Sequence, residues 1–128
     1  MYADLSLNIT QTLLASGAPY LPSGIWLNVN FSPVSGGNCR KAGDFGFVLS
    51  RIYYNPFGGD VGICDNGGYL PTESTVMKAS GCWVSVSVAA ANTKLDAGAR
   101  EQVIVLSKLG GILTCLPIQE PLQTQLHE

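Results

Sequence analysis

The chain has 128 residues, with 46% hydrophobic and 12% charged residues and a net charge of −2. That length suits one compact domain rather than two, and the composition excludes a disordered tail. The small negative charge excludes a global pull toward nucleic acid or anionic lipid, so any such contact has to use a local face. A surface this poor in charge points to more burial than a monomer achieves, and hence to self-association. No apolar run reaches the length of a membrane span, so no membrane contact is expected. The opening residues 1–6 lack the basic and apolar regions of a signal peptide, and a cytoplasmic start is the simple reading.

Residues 4–10 alternate between polar and apolar side chains and read as a short strand. Residues 17–24 hold two glycines and two prolines and act as punctuation. The clearest strand follows from Ile25 to Ser32. Ile25, Leu27, Val29 and Phe31 share one face, and Trp26, Asn28, Asn30 and Ser32 share the other. Pro33 ends it, and residues 35–43 form an exposed connection. A third strand runs from about Phe45 to Tyr54 and stops at Asn55-Pro56. Between Pro56 and Glu73 lies a loop with five glycines and two prolines. A loop that long in a small domain is usually functional.

Thr75 to Ala91 reads as the last strand, bent near Gly81. It sets Val84, Val86 and Val88 on a face to be covered by helix, and Trp83, Ser85 and Ser87 on the other. A capping box over Thr93–Asp96 then opens a helix. Leu95, Ala99, Val103, Leu106 and Leu113 form its apolar stripe, with Gln102 beside Val103, and Val105 and Leu109 broaden the apolar arc. Arg100, Glu101, Ser107 and Lys108 form the polar stripe, into which Ile104 also falls. Gly110-Gly111 breaks this helix, and a second runs from Ile112 to about Leu126, against Pro117 and Pro121. The expected fold is α+β, a single domain over residues 1–128. It has an N-terminal region at 1–24, a main antiparallel sheet at 25–91 with a long loop at 55–74, and two C-terminal helices at 92–126.

Catalytic chemistry finds no support. The only histidine, His127, is the penultimate residue, a poor place for a positioned base. Among Asp44, Asp60, Asp65 and Glu73, three sit in glycine-rich loops, where turn chemistry accounts for an aspartate as well as catalysis does. Cys39, Cys64, Cys82 and Cys115 contain no Cys-x-x-Cys pair, so no structural metal is expected. The chain reads as a non-enzyme with no cofactor, no metal and no small-molecule substrate. The cysteines carry two readings of equal weight: two disulfides in a secreted protein, or reduced thiols in a cytoplasmic one. Asn8-Ile9-Thr10 and Asn30-Phe31-Ser32 match the N-glycosylation pattern, which matters only in a eukaryotic secretory protein.

The order of features resembles a known family. "IWLNVNFSP" is followed by a polar connection and then by "FGFVLSRIYYNP". The loop "FGGDVGICDNGGYLPTE" comes next, and "STVMKASGCWVSVSVAAANTKLDAGAREQVIVLSKLGGIL" closes the run. Order and lengths together are similar to the coat proteins of single-stranded RNA bacteriophages, the levivirus type. The likeness covers residues 25–125. It implies an interlocked homodimer, with helices packed over the partner's sheet, that closes into an icosahedral shell. Such a protein is a virion component assembled in the bacterial host cytoplasm. The exposed sheet face of the family binds single-stranded genomic RNA, including an operator hairpin that represses translation.

On this likeness the RNA-facing residues are Trp26, Asn28, Asn30, Ser32, Trp83, Ser85 and Ser87, with Ser50 or Arg51 from the middle strand. Aromatic rings would stack on bases, Asn and Ser would bond edges and phosphates, and Arg would pair with phosphate. For Trp26 and Trp83, packing in a core or dimer is as good a reading as stacking. Cys64, Asp65, Asn66 and Tyr69 would lie in the inter-subunit loop, with Cys64 forming a disulfide between subunits, and Cys82 and Cys115 would be buried. Val84, Val86, Val88, Val103, Ile104 and Leu106 would pack the dimer and its helices. The chain departs from the family in having only 24 residues before Ile25 and few basic residues for the RNA face, Arg51 and Lys78 being the candidates. The alternative is a secreted, disulfide-stapled β-rich carbohydrate-binding or adhesin domain, with the exposed tryptophans as a sugar platform.

Overall fold

The computed structural model describes residues 1–33 and 39–117. The chain opens with a helix, α1 (Tyr2–Ala15), where period-two alternation predicts a strand. Both periods fit Leu5 and Ile9, which are buried, and Leu13 packs beside them at the next helical step. Leu7 separates the two periods. In a strand it would share the face of Leu5 and Ile9, whereas here it is 53% exposed.

The sheet has four strands: β1 (Ile25–Phe31), β2 (Gly46–Ser50), β3 (Trp83–Ala90) and the two-residue β4 (Leu113–Thr114). Their order is β1-β3-β2-β4. β1 pairs antiparallel with β3, but β2 runs parallel to both β3 and β4, so the sheet is mixed and the all-antiparallel expectation fails. A parallel neighbour needs a long crossover, and residues 51–82 supply one between β2 and β3.

That crossover contains α2 (Glu73–Lys78), where the sequence reading extends a strand back to Thr75. Thr72 caps the helix, its hydroxyl oxygen accepting from the Thr75 N–H at 3.2 Å. Glu73 and Lys78 sit at the ends that complement the helix dipole. The break before β3 falls at the expected place, since Gly81 holds φ +120 and a side chain there would meet the Trp83 ring. The strand predicted over Phe45–Tyr54 shortens to β2, because Arg51 turns out of the ladder to bond with Pro71 and Glu73.

The C-terminal helix, α3 (Ala99–Leu109), starts after the predicted capping box, with Gly98 at its N-cap. Thr93 closes only a local turn, accepting from the Leu95 N–H. Asp96 serves the sheet instead, its carboxylate accepting the Ile52 and Tyr53 N–H groups at 2.6 and 2.9 Å. The buried stripe of α3 is Gln102, Val105 and Leu109: Val105 and Leu109 come from the broadened arc, while Val103 of the predicted stripe is 49% exposed. Where a second helix is expected from Ile112, the chain forms β4, and the rest of that expectation, residues 118–126, lies outside the described residues.

The layers follow from the faces. Leu27, Val29, Phe47, Leu49, Val84, Val86 and Val88 point to one side, where Leu5, Ile9, Val105 and Leu109 from α1 and α3 close the core. Each fully buried aliphatic side chain there contributes about 1.5–3 kcal/mol. On the other side α2 packs across β3 and touches β1 and β2, with Val76 fully buried. The sheet is therefore covered on both faces.

Two disulfides staple this α+β domain. Cys39–Cys82 ties the segment before β2 to the start of β3, and Cys64–Cys115 ties the long loop to the segment after β4. Cys64 thus pairs within its own chain and not with a neighbouring subunit, and neither Cys82 nor Cys115 is a buried thiol. The reading with two disulfides is the one the fold adopts.

Candidate functional site

The face that carries Trp83, Ser85 and Ser87 is the one that the likeness assigns to RNA. It is closed by α2: Ser85 and Ser87 are 0% exposed, and Ser50 and Ser32 are also buried. Ser50 Oγ and Ser87 Oγ bond each other at 2.9 Å, and Ser32 Oγ accepts from the Trp83 N–H at 3.0 Å. Trp83 packs on Gly46 and Gly81 and donates its indole N–H to the Ser80 carbonyl. Trp83 itself is half-buried. Ser32, Ser50, Ser85 and Ser87 are turned to the fold's own interior and cannot offer a surface to a ligand.

Arg51 is equally committed. Its guanidinium pairs with Asp60 and lies 3.4 Å from Asp96 Oδ2, with both carboxylates buried. Asp60 also accepts from the Leu70 N–H and from the Gln102 amide. Gln102 in turn accepts from the Val61 N–H at 2.8 Å. This network pins the 51–72 loop to β2 and α3 by satisfying every charge that it buries. Within the same loop, Asn66 bonds Val61 and Gly68, and Tyr69 lies against Gly58, so both stabilise the loop from inside. Asp65 is exposed.

What remains open is the edge of the sheet. β1 is an outer strand, and Trp26, Asn28 and Asn30 stand in one row along it, spaced about 6.6 Å apart at every second residue. Trp26 is 38% exposed. The Asn28 and Asn30 amides both donate to Glu73 Oε2, at 2.6 and 2.7 Å. Two donors on one oxygen fix the carboxylate of α2 in place at the rim of the sheet. An open groove of about 460 Å³ continues from there, lined by Asn30, Phe31, Pro33, Glu73, Ser74, Met77 and Lys78. Lys78 is exposed at its margin.

The structure thus keeps Trp26, Asn28 and Asn30 together on an accessible row and adds Glu73, which the sequence reading leaves among loop carboxylates. Thr72-Glu73-Ser74-Thr75 carries the signal that could have found it, a cap residue followed by an acidic first turn. Among the described residues no cluster of His, Cys, Asp or Glu could hold a metal ion. The arrangement can bind a polar ligand with a flat apolar face: a ring platform, two fixed amides and an oriented carboxylate. Comparison with family models, curated proteins and solved structures finds no match to this chain.

Proposed function

We propose that this domain works in an oxidising compartment and binds a carbohydrate chain along the Trp26–Glu73 edge. One observation carries the reading: an exposed indole stands in the same strand row as two asparagines that orient a single carboxylate. A sugar presents an apolar C–H face, which stacks on an aromatic ring, and a rim of hydroxyls, which pair with amide and carboxylate groups. The row spacing of about 6.6 Å is of the order of one sugar unit. Both disulfides favour an oxidising compartment over the cytoplasm. Binding is tested by calorimetry and by chemical-shift mapping against a panel of soluble oligosaccharides. Trp26→Ala abolishes binding on this reading, while Trp83→Phe leaves it intact. A panel without a binder, or a binder indifferent to Trp26→Ala, defeats the proposal.

The coat-protein reading is a second proposal, favoured by apolar side chains on the outer helices. Val103 is 49% and Ile104 37% exposed on α3, and Leu7 and Leu14 are exposed on α1. Such residues suit self-association, with RNA enclosed by the assembly. Against its RNA contact, Asn28 and Asn30 already serve Glu73, whose carboxylate repels phosphate. Electron microscopy of protein made in bacteria with oxidative refolding separates the two: closed particles holding RNA support the coat, and monomers defeat it.

A further inference from the structure

The two N-glycosylation sequons have opposite fates in the fold. Asn30 belongs to the groove: its amide nitrogen lies 2.7 Å from Glu73 Oε2, and the sequon's Ser32 is buried with its hydroxyl oxygen accepting from Trp83. A glycan on Asn30 would replace one of the two hydrogens on the nitrogen that clamps Glu73 and would have to pass beside α2. Asn8 and Thr10 are instead both exposed on α1. The buried side of that helix is Leu5 and Ile9, so a substituent on Asn8 displaces nothing from the core. α1 lies on the opposite face of the sheet from α2, and a glycan there leaves the groove open.

We infer that Asn8 is an N-glycosylation site and that the folded protein carries no glycan on Asn30. The sequon and the exposure of Asn8 are one observation. The second, independent one is the pair of disulfides, which favour an oxidising compartment, the class to which the lumen where the modification takes place belongs. The donor is a lipid-diphosphate-linked oligosaccharide. Asn8 Nδ2 attacks its anomeric carbon and forms the C–N bond as the C–O bond to phosphate breaks. The lipid diphosphate leaves with the electron pair, and the amide nitrogen gives up one proton. No oxidant or reductant is involved. The inference shares only the oxidising compartment with the carbohydrate-binding reading, and its test is independent of whether the groove binds sugar.

The full chain is directed into the secretory pathway of a eukaryotic host, and the secreted product is weighed intact before and after enzymatic deglycosylation. The site is mapped as the Asn→Asp change left by deglycosylation in heavy-oxygen water. One glycan, mapped to Asn8, is expected, lost in full in Asn8→Gln and Thr10→Ala and kept in Thr10→Ser. Wild-type protein without a glycan, a mass increment that persists in Asn8→Gln, or a mapped glycan at Asn30 would each overturn the inference. Mapping on wild-type protein needs no Asn30 variant, so the result holds even where Asn30→Gln fails to fold.

Discussion

Arg51 Nη2 and Asp96 Oδ2 lie 3.4 Å apart, one at the end of β2 and the other just before α3. The contact joins the two places where the chain leaves the parallel part of the sheet. The same guanidinium pairs with Asp60, so one half-buried cation holds two buried carboxylates. Arg51→Met strands both carboxylates and is expected to cost about 3–5 kcal/mol. Urea denaturation followed by circular dichroism reads this as a large fall in midpoint at unchanged slope. A loss below about 1 kcal/mol, the range of exposed pairs, would mean the network is a surface feature.

The serine face predicts opposite outcomes for neighbouring substitutions. Among the described residues Ser85 Oγ is buried without a hydrogen-bond partner, so Ser85→Ala removes an unsatisfied group and should be neutral or stabilising by up to about 1 kcal/mol. Ser87→Ala leaves the Ser50 hydroxyl alone in the same buried layer and should cost about 1–3 kcal/mol. Thermal unfolding of the two variants side by side checks the sign, and equal losses at both positions would contradict it.

The same face shows how far the sequence can be read. Alternation in 83–88 correctly separates valines from serines, because strand geometry allows no other arrangement. It does not say that a helix lies on the serines. That helix comes from a segment whose β-branched Thr75 and Val76 favour a strand by propensity, and Thr72 capping together with burial of Val76 overrides them. Leu5 and Ile9 fit both periods, Leu7 fits only the strand, and packing on the core decides for the helix. Trp26, Asn28 and Asn30 are legible as a row, but the crossover that brings Glu73 to them is long-range and leaves no local trace.

The two disulfides should differ in access. Cys115 is exposed and Cys64 half-buried, whereas Cys39 is buried in the core cluster. Mild reductant followed by alkylation is expected to label Cys64 and Cys115 before Cys39 and Cys82, as peptide mass mapping would read. Replacing either pair by alanine removes a closed loop of some tens of residues and should cost about 4 kcal/mol. Simultaneous labelling of all four cysteines would point to global unfolding as the route of reduction.

Asp44 sets an acid limb to stability. The Arg40 and Lys41 backbone N–H groups donate to its carboxylate and hold its pKa below the ordinary 3.8. A carboxyl with a lowered folded pKa contributes stability above its unfolded value, and that contribution fades as pH falls through the folded one. Asp44→Asn should therefore be less stable than wild type near neutrality and equal to it once Asp44 is protonated. A difference that stays constant down to acid pH would refute the assignment, and carboxyl-carbon titration by nuclear magnetic resonance gives the folded value directly.

The order of the four cysteines has a consequence for the chain's topology. Cys39 pairs past Cys64 to Cys82, and Cys64 pairs past Cys82 to Cys115, so the two covalent rings overlap. Any single peptide bond cut between residues 39 and 115 lies inside at least one ring. A protease that nicks the long loop therefore leaves one connected molecule of unchanged size, and the fragments separate only after reduction. Such a domain can be cleaved without being released.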